Sequence, residues 1–252
     1  MDFAAFWMSL DNYEKFYIII IFSYIPILIF GLAASGAIHS AFKKYANVSA
    51  GLGQTAAQMC KQMLIENQLQ HIPISQVAGK LTDHYDPRSQ SIGLSQTVFN
   101  SPSVGAIAVA CHEAGHAVQH DKKYVFSSVR SALVPIVNFT NRLIFPILLI
   151  GMLLGFLSTG LPDNVAFIFV LLGVGLFGIS MIFSLVTLPV EFNASKRARR
   201  YLQTTSMGAQ QLKGARKVLT AAALTYVAAF LMSAVQFLRF LLLLLMMFNR
   251  RR

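Results

Sequence analysis

Long uncharged apolar segments constrain the fold of this chain most. Residues 16–42, 165–190 and 218–238 contain no Asp, Glu, Lys or Arg, and each could cross a bilayer as a helix. Residues 143–161 form a further segment of about one span. A membrane-spanning helix satisfies its own backbone hydrogen bonds, which lipid cannot do. We therefore predict a mainly α-helical, polytopic membrane protein with about four spans.

The polar segments give the predicted domain layout. The first helix, residues 17–38, is too long for a signal-peptide core and is interpreted as an uncleaved anchor. The layout comprises an N-terminal segment with this helix (1–42), a polar region (43–130), a membrane hairpin (131–190), a polar helix or loop (191–217), and a membrane helix with a basic tail (218–252).

The distribution of charge predicts the topology. A net charge of +11 would suggest nucleic acid for a soluble protein, but here the basic residues lie between apolar runs, so we expect a bilayer and no nucleic acid. Residues 39–142 hold nine lysines and arginines and residues 189–217 hold seven, whereas only Lys15 precedes the first span. Basic loops favour the cytoplasm, so both polar segments are predicted to be cytoplasmic, in a multi-pass protein of the bacterial cell membrane.

Two further features bear on location. Four spans would leave the C-terminus outside, which conflicts with Arg239 and the three terminal arginines. The alternative to a crossing is that the last apolar run lies along the membrane or re-enters it. Cys60 and Cys111 make no disulfide framework, and free thiols fit a reducing compartment.

The region 43–130 has the pattern of a small α+β domain. Residues 53–68 have helical composition, with apolar residues spaced along one face. Residues 72–77 and 91–95 resemble strands, and Asp86-Pro87-Arg88-Ser89 is typical of a turn. We therefore predict a β-hairpin over residues 80–95. An exposed strand edge of such a hairpin can hold a peptide by main-chain pairing.

The motif His112-Glu113-Ala114-Gly115-His116 carries the chemistry. It lies in a proline-free, alanine-rich segment, residues 104–119, which we predict to be a helix. Residues four apart share a helix face, so both imidazoles can bind one zinc ion. Glu113 then lies where its carboxylate can accept a proton from water. This pattern is typical of zinc-dependent peptidases.

A catalytic zinc usually has three protein ligands, so one more is needed. His120 lies one turn beyond His116, too near for the longer extended motif, and a solvated histidine is its simpler interpretation. His39 and His71 lack supporting context, and His84 on the hairpin could instead face substrate. Glu191 is the best candidate, but the residues alone fit equally well a carboxylate paired with the basic run that follows it.

Several blocks in the same order give a more specific signal. They are LTDHYDPRSQSIGLS, AVACHEAGHAVQH, RSALVPI, LVTLPVEFNASKRA and GARKVLTAAALTYVAA, between about residues 40 and 238. They resemble the bacterial YugP-like family of neutral zinc membrane metallopeptidases, which is similar in layout to the HtpX-like peptidases. The resemblance implies a zincin-like fold with zinc on His112, His116 and Glu191, and Glu113 as general base. The HtpX-like pattern has an Asp four residues after the ligand Glu. Here that residue is Ser195, so Asn193 or Ser195 would take its supporting role.

We therefore predict an integral membrane zinc endopeptidase that acts on a peptide or a membrane protein. A metal-binding scaffold without proteolysis is the alternative, although it would not need Glu113. A transporter is less favoured, because the spans contain few polar side chains beyond Thr187, Thr225 and Gln236. His84, Tyr226 or an arginine could assist the reaction, and the sequence does not select one. The oligomeric state and any regulatory partners are not predicted.

Overall fold

The computed structural model describes residues 2–157 and 163–250. Its helices are α1 (Phe3–Ser9), α2 (Asn12–Tyr45), α3 (Ala56–Glu66), α4 (Gln96–Phe99), α5 (Val104–Asp121), α6 (Val125–Leu157), α7 (Asp163–Thr204) and α8 (Ala209–Arg250). Its strands are β1 (Ile74–Val77), β2 (His84–Asp86) and β3 (Ser91–Ser95). The prediction of a mainly helical protein with a small sheet is confirmed.

Within the described residues, three helices are long and apolar enough to cross a membrane: Glu14–Tyr45, Phe167–Thr204 and Ala209–Met246. They lie in α2, α7 and α8 and confirm three of the predicted apolar segments. The other segment, 143–161, is helical as far as Leu157 in α6. Its last residues, 158–161, lie outside the described residues, so a fourth span stays a prediction.

Two helices extend further than the sequence pattern indicated. α6 begins at Val125 and continues through Pro135. α7 runs without interruption from Asp163 to Thr204, so the first part of the polar segment predicted as helix or loop, from Glu191 to Thr204, is helix. Alanine, lysine and arginine are strong helix formers, which explains why the basic run continues the apolar helix.

The chain divides into two compact units. The first, here called the helical unit, comprises residues up to 31, 132–185 and from 228 onwards. Its packing includes a close approach of α7 and α8, where Phe177 stacks on Phe240 with ring centroids 5.0 Å apart. A Cβ atom at Gly173 would overlap the Phe240 ring, so a larger residue there would require the ring to shift.

The second, here called the mixed unit, comprises residues 32–131 and 186–227. Its described strands form one sheet in the order β1-β3-β2. The predicted hairpin is present, because β2 pairs antiparallel with β3 and places His84 opposite Gly93. β1 adds to the other side of β3 in parallel, with Ile74 opposite Ile92, a pairing that the strand pattern did not predict.

Helix α5 lies at the centre of the mixed unit. Its N-terminus is capped by Ser103, whose Oγ accepts a hydrogen bond from the Ala106 N–H at 3.3 Å. α3 packs against it. Ala56, Met59 and Met63, whose spacing predicted a buried face of α3, are all buried, and so is Cys60. Most of α5 is buried, so its few polar side chains are held in a rigid setting.

Candidate metal centre

His112 and His116 project from the same face of α5, one turn apart, with ring centroids 4.7 Å apart. Glu191 approaches them from α7, where its side chain is only 2% exposed. Its Oε2 atom lies 3.2 Å from His112 Nε2 and 3.5 Å from His116 Nε2. The ligand atoms of all three residues lie within 4.8 Å of one another. Two imidazole nitrogens and a carboxylate oxygen are ligands that zinc accepts, so the residues present fit a zinc ion.

Gln119 fixes the orientation of the His116 ring. Its amide nitrogen donates hydrogen bonds to Val190 O at 2.7 Å and to Asn193 Oδ1 at 3.0 Å. Its Oε1 atom therefore faces His116 Nδ1, 3.0 Å away. Because an amide oxygen only accepts, Nδ1 must carry the proton, which leaves the lone pair of neutral Nε2 directed at Glu191. This is the tautomer that metal binding requires.

Ser195 supports the other histidine. Its Oγ lies 3.1 Å from His112 Nδ1, and the residue is buried. Ser195 follows Glu191 by four positions, so both side chains lie on the face of α7 that meets α5. Of the two residues expected to take this supporting role, Ser195 contacts a histidine directly, whereas Asn193 acts through Gln119.

Arg130 at the start of α6 pairs with the second oxygen of the same glutamate. Its Nη1 lies 3.2 Å from Glu191 Oε1, whereas both imidazoles contact Oε2. The arginine thus neutralises a buried carboxylate, which would otherwise be costly to bury. The negative charge of Glu191 also acts on His116. Burial alone would lower the pKa of His116, but when Nε2 is also protonated it donates a hydrogen bond to the negatively charged Glu191, and this outweighs burial, so the pKa is raised.

Comparison with known proteins gives the family of the chain. Residues 18–245 match the protein family described as "Putative neutral zinc metallopeptidase". The chain belongs to this family. It is also similar to the "Putative membrane protease YugP" of Bacillus subtilis (strain 168), with 40% identity over 228 residues that cover 89% of this chain and 97% of that protein. No solved structure matches the chain.

Glu113 lies outside the ligand cluster. It is largely buried, and it lines a cavity of about 250 Å³ together with His112. Tyr226 from α8 lines the same cavity, and its side chain interacts with the Glu191 carboxylate. Of the candidates for a further donor, the structure therefore brings Tyr226 to the cavity.

The remaining histidines lie elsewhere. His120 Nδ1 lies 2.8 Å from the Tyr85 hydroxyl, and His84 Nδ1 lies 2.8 Å from Thr82 O. Exposed His39 contacts Ser35 O, one turn back on its own helix. Among the described residues, only His112, His116 and Glu191 form a group that could hold a metal ion.

Asp83 is a cavity residue that the sequence did not single out. It precedes β2 and lines the cavity beside His112 and Glu113. Its carboxylate accepts hydrogen bonds from the Ser95 N–H at 2.7 Å and the Ser95 hydroxyl at 3.1 Å. Burial raises the pKa of this carboxyl, and the two hydrogen bonds from Ser95 act in the opposite direction. Gln119 and Arg130 were likewise missed, because their roles depend on contacts between distant segments.

Proposed function

We propose that this protein is an integral membrane zinc metalloendopeptidase. The observation that carries the proposal is the convergence of His112, His116 and Glu191, with Glu113 beside them in a cavity. The family description and the name of the Bacillus relative support it. Helix α5 beside a small sheet also supports a zincin-like region.

The residues have separate roles in the proposed mechanism. His112, His116 and Glu191 would hold zinc, which when bound acidifies water and polarises the scissile carbonyl. Glu113 accepts the proton of the attacking water and passes it to the leaving amine. Tyr226 donates a hydrogen bond to the carbonyl oxygen as negative charge develops there. Gln119 and Ser195 keep both imidazoles in the orientation that binding requires.

The substrate of the proposed enzyme is a peptide or a loop of a membrane protein. β2 lies at an edge of the sheet, and the segment that leads into it contributes Leu81 and Asp83 to the cavity. An extended peptide can pair with the open edge of such a strand and pass the cavity.

The proposed topology has four spans and a cytoplasmic site. Its support is the nine and seven basic residues of the two polar segments. Cysteines placed next to Lys44 and Lys196 should resist an impermeant thiol reagent in intact cells and react after permeabilisation. Labelling of either position in intact cells would exclude a cytoplasmic site.

The function is tested with Glu113→Gln. This change keeps size and polarity but removes the proton acceptor, so the purified variant should retain zinc and lose cleavage of an unfolded protein such as casein. Wild-type activity should also stop on treatment with a chelator and return with zinc. His120→Ala is the control and should remain active. Undiminished cleavage by zinc-loaded Glu113→Gln would exclude the proposed base, and a wild-type protein that binds zinc without cleaving anything would favour a scaffold.

A further inference from the structure

The cavity beside Glu113 has a reactive side and an apolar side. Its reactive side carries His112, Glu113 and Tyr226. The rest of its lining is apolar and comes from α2, α5, α8 and the segment before β2: Ile38, Leu81, Val109, Val218, Leu219 and Ala222. Binding of a ligand that covers this apolar surface with its own apolar atoms is favourable, because the surface is then removed from water.

The apolar wall is fixed in position relative to the base. Val109 lies on α5 one turn before Glu113, so the two residues share a helix face. Val218 and Leu219 are almost completely buried and anchor α8 in the core of the mixed unit. The apolar residues that a substrate side chain would contact in the cavity are therefore held in a fixed position relative to Glu113.

Leu81 shows that this wall extends to the surface. It is an exposed leucine with a positive φ of 55°, a conformation that a leucine rarely adopts. Hydrogen bonds of the next two residues, Thr82 and Asp83, fix the backbone conformation at Leu81. The Thr82 hydroxyl donates to Ala78 O at 2.8 Å, and Asp83 is bound by Ser95 as described above. Strain of this kind persists where the surrounding structure imposes it, often at ligand-binding sites.

We infer that this cavity binds a large apolar side chain of the substrate residue next to the scissile bond. The inference rests on the proposed function and specifies its substrates: extended segments with Leu, Phe or Met at that position. A cavity of about 250 Å³ has room for such a side chain. Acidic side chains are disfavoured there, because the carboxylates of Asp83 and Glu113 line the same cavity.

The position of the cavity on the membrane-capable helices indicates where its substrates come from. Ile38 and Ala222 belong to α2 and α8, and both residues lie within the stretches of these helices that are apolar enough to cross a membrane. The cavity is thus walled by membrane-capable helices. Apolar segments of membrane proteins are therefore the substrates that reach it most directly.

The test uses the full-length protein in detergent and a set of fluorescent peptides that differ at a single position, occupied by Gly, Ala, Leu, Phe or Asp. Mass spectrometry identifies the bond cleaved. We expect kcat/KM to be about 10- to 100-fold higher for Leu and Phe than for Gly and Asp, as the burial of one large apolar side chain predicts. The same peptides are titrated into Glu113→Gln by fluorescence anisotropy, which should give the same order of affinities without cleavage.

Ala222→Leu places a larger side chain in the cavity and should abolish the preference for Leu and Phe while Ala and Gly peptides still react. Thr220→Leu adds the same side chain at an exposed position of α8 and should leave the preference unchanged.

The outcomes separate the two proposals. Zinc-dependent cleavage without a preference at any position, or a preference that survives Ala222→Leu, overturns the inference and leaves the proposed function standing. Absence of cleavage overturns the proposed function, and the binding order in Glu113→Gln then decides on the cavity: tighter binding of Leu and Phe peptides supports it, and equal binding overturns it.

Discussion

Gln119→Leu tests whether the contacts behind the histidines control metal affinity. The substitution removes three hydrogen bonds, but their partners are affected unequally. Val190 O remains a helix carbonyl of α7, and Asn193 Oδ1 keeps its hydrogen bond from Arg197 Nε at 2.8 Å. Only His116 Nδ1 loses the partner that orients it. An unsatisfied buried donor costs about 1–3 kcal/mol, which corresponds to about a 5- to 150-fold loss of zinc affinity.

The assay is competition for zinc between the purified protein and a coloured chelator, with thermal unfolding of the metal-free protein measured alongside. We expect Gln119→Leu to weaken zinc binding strongly, because zinc on Nε2 forces the proton onto the unpartnered Nδ1. The unfolding temperature of the metal-free protein should change less, because without zinc the proton can move to Nε2 and be donated to Glu191. Gln119→Glu should bind zinc more nearly as the wild type does, because one carboxylate oxygen still accepts from His116. It should lower the unfolding temperature, because the other oxygen then faces two acceptors, Val190 O and Asn193 Oδ1. Gln62→Leu, at an exposed position of α3, is the control. Unchanged zinc affinity in a folded Gln119→Leu protein would refute the reasoning.

Two further predictions concern residues around the carboxylate. Glu191→Ala should lose most of its zinc, measured as metal per chain by elemental analysis, because it removes the buried ligand that both imidazoles face. Full occupancy in Glu191→Ala, with loss in His120→Ala, would identify a different third ligand. Tyr226→Phe should keep its zinc and its KM but lower kcat by about 10²-fold, as the loss of one donor to a developing oxyanion does. An unchanged kcat would remove Tyr226 from the mechanism.

The parts of the structure that the sequence predicts are those set by local periodicity. The spacing of His112 and His116 fixes their common face as soon as α5 is a helix, and the apolar spacing of α3 predicts its buried residues Met59 and Met63. The hairpin follows in the same way from turn chemistry and two short strand patterns. Each of these features depends on residues close together in the chain.

The rest depends on which segments meet. Gln119 resembles any polar residue near the end of a helix until α7 supplies Val190 O and Asn193, more than 70 residues later. Arg130 likewise gains its role only through Glu191, which lies on another helix. Glu191 itself was chosen through a family resemblance, because the spacing of residues alone left its role open. The relative placement of α5 and α7 is therefore the information that the sequence pattern lacks.

Gly115 sets that placement, and Gly115→Ala tests it. A Cβ atom at Gly115 would lie 2.7 Å from Ala194 O and 3.2 Å from two further backbone atoms of α7. Since backbone cannot rotate away, the helices would have to separate by about 0.5 Å or more, at a cost of about 1–3 kcal/mol for overpacking. Glu191 lies one turn before Ala194 on α7 and would move with it.

Alanine normally stabilises a helix by about 1 kcal/mol relative to glycine, so helix propensity alone predicts a gain. We expect the opposite at Gly115: a lower unfolding temperature and weaker zinc binding, measured by thermal unfolding with and without zinc. The matched control is Gly36→Ala in α2, where a Cβ atom would have no neighbour within 4 Å and the propensity gain should appear. A Gly115→Ala protein that is as stable as the Gly36→Ala protein and binds zinc normally would show that α5 and α7 do not need this close contact to bring Glu191 to the histidines.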